Sequence, residues 1–424
     1  MPSPRRRVLW TFPLALPRRG ATFAVPLRNA ALALALCGAM PALAALPKLP
    51  PLPPVAPAAA PVLAPLARPD MPPPPELASQ AAYVLMDADT GAILAEKAPT
   101  LRWPPASLAK LMAAYLTYQS IAHGTLKLDQ SITVSTTAWR TGGSRMFISP
   151  SQPVTVNQLL HGMLIDSGND ATVALAQAVA GTQGSFVRMM NTAAGKLGLS
   201  GTEYTNPTGL PDPGMFTTAA DVATLSRALL AADPQILDIT AHKHYLFDKI
   251  RQRSWNPVLF HDPTVDGLKT GRTNAAGHCI DATALRGGRR LIAVVLGGPS
   301  WTVSTKAIEA LLDYGYQFYT NRQVIAAGHK LGTLTDPRTQ PTVIPVAAAR
   351  DLTVTLAATA AQHLTTVLTV APPATGGIAR GAVVGQVTIS ADGTPVAHSP
   401  VVALEAAPPA GFLTLLLRRV RAML

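Results

Sequence analysis

"WPPASLAKLMAAYL", residues 103–116, sets Ser107 and Lys110 three positions apart at the mouth of an apolar run. Residues three apart on a helix share a face, so the lysine amine can reach the serine hydroxyl. Lysine is rarely buried without a partner. Burial penalises the ammonium and favours the neutral amine, which can take the hydroxyl proton and turn the serine into a nucleophile. Pro104 and Pro105 place Ser107 where the helix begins. Its N–H then belongs to the first-turn donors that lack an intrahelical acceptor, and it can face a developing oxyanion. Taken alone, the pair has a plain alternative, a capping serine before an exposed lysine.

Two further stretches bear on that choice. "DSGNDA" (166–171) places Ser167-Gly168-Asn169 in a turn between two helices, from which both polar side chains can point into a cleft. "VDGLKTGRTNAAGHC" (265–279) places Lys269-Thr270-Gly271 at the end of a strand. A cation, a hydroxyl and a glycine there let a substrate carboxylate and an extended backbone approach closely. An asparagine helix cap and a strand-end turn are the plainer readings of each stretch. The three occur in order, with Ser167 60 residues after Ser107 and Lys269 102 residues after Ser167.

This is the S-x-x-K, S-x-N, K-T-G set of penicillin-binding proteins and serine β-lactamases. "YVLMDADTGAILAEK" (83–97), "LLHGMLIDSGNDATVALA" (159–176), "NPTGLPDPGMFTTAADVATLSRALL" (206–230) and the basic-apolar tail extend the likeness. Over roughly residues 76–424 the chain resembles the low-molecular-weight D-alanyl-D-alanine carboxypeptidases, peptidase family S11. The resemblance implies an α+β fold of the penicillin-binding/β-lactamase-like transpeptidase type, an antiparallel sheet flanked by helices. A small all-β domain and a C-terminal amphipathic helix would follow it. It implies Ser107 as the acylated nucleophile and Lys110 as its general base. Ser167 and Asn169 would relay protons and hold the substrate amide. Lys269 would bind the terminal carboxylate, assisted by Thr270, with Gly271 and Arg272 in the substrate-binding strand. The N–H groups of Ser107 and Arg272 would form the oxyanion hole. Ala109 stands where the family commonly has Thr, Arg272 where His is frequent, and Thr208 where an HGL triplet is common. Arg272 lies where it can alter specificity.

The implied activity is removal of the terminal D-alanine from peptidoglycan pentapeptide stems through an acyl-enzyme, with β-lactams as acylating inhibitors and no metal or organic cofactor. A D,D-endopeptidase of cross-links would use the same serine. A class A β-lactamase needs a glutamate to activate water; Glu203 lies 34 residues after Asn169 but is not in an E-x-E-L-N pattern, and residues 330–424 would have no place in such an enzyme. A wall-binding protein with a vestigial site would not need the intact Ser107, Lys110, Ser167, Asn169, Lys269 and Thr270.

Around these motifs, "AAYVLMDADTGAILAEK" (81–97) predicts two strands about the turn Asp89-Thr90-Gly91. Helices are expected from Ser107 to about Ile121, over 154–166, 171–181 and 304–319. Residues 277–298 form an apolar hairpin with Gly287-Gly288 at its tip. Strands at both ends with helices between place the two ends of this unit in one antiparallel sheet. After about residue 330, "DLTVTLAAT", "LTTVLTVAPP", "AVVGQVTIS" and "PVVALEAA" are Val/Thr-rich runs between turn residues and predict strands. Cys279 sits in an apolar strand, where packing and redox control are the two readings.

At 424 residues the chain is too long for one ordinary core. Residues 1–44 hold six arginines, no acid and an apolar run closing on Ala42-Leu43-Ala44, which reads as a signal peptide cleaved after Ala44. The Arg5-Arg6 pair raises twin-arginine export, and Cys37 follows a leucine too bulky for a lipobox. Residues 45–77 are a Pro/Ala-rich linker. The catalytic domain is expected over 78–328, the β domain over 329–408 and a membrane anchor over 409–424. Loss of the leader takes the formal charge from +12 to +6, so nucleic acid is not an implied partner. One cysteine then remains, too few for an intrachain disulfide, and the nine histidines show no metal-ligand spacing. Residues 411–424 as a helix would be about 21 Å long, too short for a bilayer core of about 30 Å. Phe412, Leu413, Leu416, Leu417, Val420, Met423 and Leu424 fall on one arc, with Arg418, Arg419 and Arg421 beside it. That pattern predicts a helix lying on a membrane surface, the outer face of the inner membrane for a periplasmic protein. Docking of the helix on its own β domain is the alternative.

Overall fold

The computed structural model describes residues 73–358, 363–373 and 376–421. The expected signal peptide, the expected linker as far as residue 72, and residues 422–424 of the expected anchor lie outside the described residues. The fold opens with β1 (Ala82–Asp87) and β2 (Ile93–Lys97). Asp87 Oδ1 accepts the N–H groups of Asp89 and Thr90 and so shapes the expected turn between them. A 3₁₀ turn, Ala106–Ala109, runs directly into α1 (Lys110–Ala122). There follow β3 (Ser131–Ile132), α2 (Thr136–Trp139), β4 (Val154–Thr155), α3 (Val156–Leu164), α4 (Asn169–Ala180), α5 (Gln183–Leu197), α6 (Ala219–Ala232) and α7 (Ile236–Thr240). A short hairpin, β5 (His244–Phe247) and β6 (Ile250–Arg253), precedes the long strands β7 (Val265–Thr273), β8 (Gly277–Arg286) and β9 (Arg289–Gly298). Helix α8 (Trp301–Phe318) closes the catalytic part.

The central sheet has the order β2-β1-β9-β8-β7, antiparallel throughout. The first strand, β1, therefore lies against β9, with β2 at the edge, so the two ends of this unit share one antiparallel sheet as the sequence predicts. All six residues of β1 are buried. Its alternate side chains enter different cores: Ala82, Val84 and Met86 join the helical layer that contains α1, α4 and α6, whereas Tyr83 and Leu85 meet Ile308, Leu311 and Leu312 of α8. A strand covered on both faces reads as a continuous apolar run, which is how β1 and the centre of β9 appear in the sequence. The helix expected over 154–166 is shorter, because Val154 and Thr155 pair with β3. Thr155 then caps α3 in a capping box with Gln158.

The C-terminal strands are β10 (Tyr319–Ile325), β11 (Lys330–Thr335), β12 (Val343–Ala348), β13 (Leu352–Ala357), β14 (Leu364–Val370), β15 (Val383–Ala391) and β16 (Thr394–Ala403). Five form a sheet in the order β11-β12-β16-β15-β14, and β10 pairs with β13. Strand β10 continues α8 without a loop and lies before residue 329. The junction with the catalytic part is polar: Arg289 pairs with Asp87 at 2.8 Å and donates to the carbonyls of Gly315 and Tyr319. Asn321 donates to Asp87, and Thr90 meets Thr355 at 2.6 Å. The last element is α9 (Phe412–Arg421).

Candidate active site

Ser107 lies in the 3₁₀ turn, not in the regular α-helix that the sequence predicts. In a 3₁₀ turn residues i and i+3 eclipse, which brings Lys110 over Ser107, with Nζ 2.9 Å from Oγ. The residue before Ser107, Ala106, has φ +47°. That strained conformation is held by the close approach of two glycines: a Cβ on Gly209 would sit 1.7 Å from Ala106 O, and one on Gly271 would sit 2.9 Å from Ser107 N. Strand β7 thus passes beside the Ser107 N–H, and only glycine permits the approach.

Lys110 is fully buried. Besides Ser107 Oγ, its Nζ donates to Asn169 Oδ1 at 2.7 Å and to the carbonyl of Thr208 at 2.8 Å. The orientation of the Asn169 amide follows from its other end, since Nδ2 donates to the Gly142 carbonyl at 2.7 Å. Two of the three partners can only accept. A neutral amine therefore spends its two hydrogens on Asn169 and Thr208 and directs its lone pair at Ser107. Burial holds the Lys110 amine well below the usual lysine range, and the nearby Lys269 charge adds to this, against Asp170. The Thr208 carbonyl is set by Asn206, whose Oδ1 accepts the N–H groups of Thr208, Gly209 and Leu210.

Ser167, φ +58°, ends the turn after α3, and Asn169 is the first residue of α4 and not a turn residue. Lys269 Nζ donates to Ser167 Oγ at 3.0 Å and to the Thr270 carbonyl at 2.9 Å. Lys269 is also buried, and burial pulls its amine down to about 7. Thr270 is buried, and β7 runs two residues past Gly271 to Thr273, so the K-T-G triplet is inside the strand and not at its end. Arg272 is exposed and lines an open cavity of about 430 Å³ with Trp103, Asn274, His278 and Pro299. The structure thus forms two bonded sets, Ser107–Lys110–Asn169 and Ser167–Lys269, close enough for the Lys269 charge to act on Lys110, with Thr270, Gly271 and Arg272 continuing the strand that carries Lys269.

Several contributors escaped the sequence reading. Asp170, fully buried, accepts the N–H groups of Met146, Phe147 and Ile148 and thereby fixes the 142–148 loop over Asn169. Asp166 and the Thr208 carbonyl are the others; the Asn-Pro turn signal at Asn206 marks the latter. Glu203 is exposed, bonded to Asn191, on the isolated bridge with Phe216. Cys279 is wholly buried, its Sγ 3.4 Å from Ala276 O, with burial pushing the thiol up to about 12. That is the packing role. Among the described residues, no three His, Cys, Asp or Glu side chains are grouped to hold a metal ion.

Comparison with known proteins bears on this geometry. The family model for D-alanyl-D-alanine carboxypeptidase, peptidase S11, matches residues 69–300, and that for the penicillin-binding protein 5 C-terminal domain matches 319–408. The chain is 35% identical over 339 residues to the D-alanyl-D-alanine carboxypeptidase DacC of Escherichia coli, covering 78% of this chain and 85% of the relative. The crystal structure of penicillin binding protein 5 from Haemophilus influenzae is similar with a TM-score of 0.72 and 30% identity, over 79% of this chain and 99% of that one. Penicillin-binding protein D2 of Listeria monocytogenes in its ampicillin-bound form is similar over 56% of this chain and 98% of its own, with 31% identity and a TM-score of 0.52.

Proposed function

The chain belongs to the D-alanyl-D-alanine carboxypeptidase family, peptidase S11, and we propose that Ser107 is its nucleophile and Lys110 its general base. It is a serine D-alanyl-D-alanine carboxypeptidase acting on peptidoglycan and open to acylation by β-lactams. The observation that carries the assignment of roles is the set of three Lys110 partners, which leaves the neutral amine's lone pair facing Ser107 Oγ.

In acylation the Ser107 hydroxyl proton passes to Lys110 and Oγ bonds to the carbonyl carbon of the penultimate D-alanine. The oxyanion is held by the N–H groups of Ser107 and Arg272. The C–N bond to the terminal D-alanine then breaks, and the leaving amine takes, by way of Ser167, the proton that Lys110 had accepted, which returns Lys110 to its neutral form. Asn169 holds the substrate amide, and Lys269 and Thr270 hold the terminal carboxylate. Water attacks the resulting ester with Lys110 again as base, and Ser107 is regenerated. A penicillin, which carries its carboxylate in the same relation to a strained amide, stops at the acyl stage. The test is mass spectrometry of the penicilloyl adduct together with product analysis on a muramyl pentapeptide. An adduct on Ser107 and release of free D-alanine are expected; an adduct elsewhere overturns the assignment.

Residues 1–44 are a signal peptide, 45–77 a linker, 78–328 the catalytic domain, 329–408 the β domain and 409–424 an anchor in this reading. It places the enzyme in the periplasm, on the outer face of the inner membrane. Support comes from α9, where Phe412 and Leu413 are 79% and 73% exposed and Leu416, Leu417 and Val420 are exposed on the same arc. Arg418 is turned inward, donating to the carbonyls of Pro337 and Thr339, and fixes the helix to the β domain with its apolar side outward. Arg419 and Arg421 remain exposed for anionic headgroups. No helix among the described residues is long and apolar enough to cross a membrane.

A further inference from the structure

We propose that Asp166 is a positioning residue for the reaction: its carboxylate is the buried counter-charge that keeps the Lys269 ammonium charged and aimed at the C-terminal carboxylate of the substrate. The inference rests on Lys269 being the carboxylate site.

Asp166 is 1% exposed. Its Oδ1 has no hydrogen-bond partner, and Oδ2 accepts a single bond, from Gln252 Nε2 at 3.2 Å. A buried carboxylate so poorly provided with donors is costly, and it calls for an explanation beyond folding. The explanation lies next along the chain, where Ser167 Oγ accepts from Lys269 Nζ. The two partners of Lys269, Ser167 Oγ and the Thr270 carbonyl, are uncharged. Burial of Lys269 favours its neutral form, and Asp166 is the charge that opposes this. Asp170 is not free to do the same work, since its oxygens are occupied by the N–H groups of Met146, Phe147, Ile148 and Ala171 and it lies 3.9 Å from Arg145.

The groups facing Asp166 come from three elements. Lys269 on β7 favours its ionised form and Asp170 on α4 opposes it. Tyr245 on β5 lies within its field, and the His161 ring of α3 lies against Tyr245, with His242 beyond. Burial pushes the Asp166 carboxyl up to about 7, the same region to which Lys269 is pulled down. Each group therefore depends on the other for its charge in the neutral range. A neutral Lys269 would still bond to Ser167 but would attract a substrate carboxylate far less.

The test is the pH profile of kcat/KM for Asp166→Asn in the full chain, on a D-Ala-D-Ala peptide acid and on its C-terminal amide. Removing the negative charge lets Lys269 lose its proton at lower pH. The basic limb for the acid should move down by about one pH unit or more, with a tenfold loss above it that appears mainly in KM. The amide profile should stay in place, and Asp166→Glu should restore the limb. Circular dichroism with thermal unfolding reports the folded fraction, and Asp166→Ser serves if the asparagine variant does not fold. An unmoved limb in a folded variant, or equal changes on acid and amide, overturns the proposal. If the unsubstituted enzyme itself fails to distinguish acid from amide, it is the role of Lys269 that falls.

Discussion

Asn169→Asp tests the general-base assignment through a change of one unit of charge and almost none of shape. The substitution puts a carboxylate oxygen where Asn169 Oδ1 stands 2.7 Å from Lys110 Nζ. It also replaces the Nδ2 donor to the Gly142 carbonyl with a second acceptor. An anion that close favours the ammonium, and a buried opposite charge raises a lysine pKa by about 1–3 units. Acylation requires the neutral amine, so the acid limb of the acylation rate should move up by about that amount. Each unit is about 1.4 kcal/mol, which means a tenfold to thousandfold slower acylation on the acid side of the limb. Above the new limb the rates should converge, because the amine is then neutral in both enzymes. The assay is stopped-flow acylation by a fluorescent penicillin across pH, with thermal unfolding to confirm the fold. A limb that stays or moves down refutes Lys110 as the base.

Lys269→Ala should cost roughly 1.5–3 kcal/mol, about ten- to hundredfold in kcat/KM, on free-acid peptides and little on their amides; equal losses would give Lys269 another task. Gly209→Ala forces a side chain into φ +82° and against Ala106 O, so a stability loss of at least about 1–2 kcal/mol and loss of penicillin labelling are expected. Normal melting and labelling would show that the Ala106 turn does not depend on that contact. Truncation after Ala410 removes α9 and leaves the bond from Ala410 N to Arg338 O in place. The shortened enzyme should keep its activity and lose sedimentation with anionic vesicles, and continued sedimentation would sink the anchor reading.

The legible parts of the fold were those in which burial is symmetric or strictly periodic. Strands β1 and β9 carry unbroken apolar runs, Ala82–Met86 and Leu291–Leu296, because both faces of the sheet are covered, whereas β8 is interrupted by the buried Asp281 and Thr283. Helices α5 and α6 were not marked out on their own pattern. In α6 the buried positions include Asp221 and Ser226, the latter bonded to the buried Asp281 of β8, so polar residues stand where an apolar stripe would be sought. The hairpin of β5 and β6 carries exposed Leu246 and Ile250 beside Arg251 and Arg253 and shows no clean alternation. Among the C-terminal strands, β13, β14 and β15 show as Val/Thr runs, and "PVVALEAA" marks the end of β16. Strand β10 has no expectation of its own: the helix expected over 304–319 takes only its first residue, Tyr319, and pairing with β13 makes Tyr319–Ile325 a strand.

At the site, the spacing of side chains identifies the reacting groups but not the charges they carry. Lys110 and Lys269 are both fully buried, and the chemistry demands opposite states of them, one neutral and one charged. The difference is made by partners that motif spacing does not reveal. Lys110 meets a backbone carbonyl, Thr208 O, whose position depends on an Asn206 turn almost a hundred residues away in sequence, and it also feels the positive charge of Lys269. Lys269 has Asp166 to oppose its desolvation. Environments that separate the titrations of paired groups are how one site holds a base and a charged anchor together at one pH. Asp166 was present in the quoted stretch all along, one residue ahead of Ser167. Its role emerges only when Lys269, 103 residues later, is found to donate to that serine. The activity should therefore be bell-shaped in pH, with the Lys110 limb on the acid side and the Lys269 limb on the basic side. Asn169→Asp and Asp166→Asn should narrow the bell from opposite ends. A single substitution that moved both limbs together would mean that the two lysines titrate as one unit and that their separation by environment is not what sets the working range.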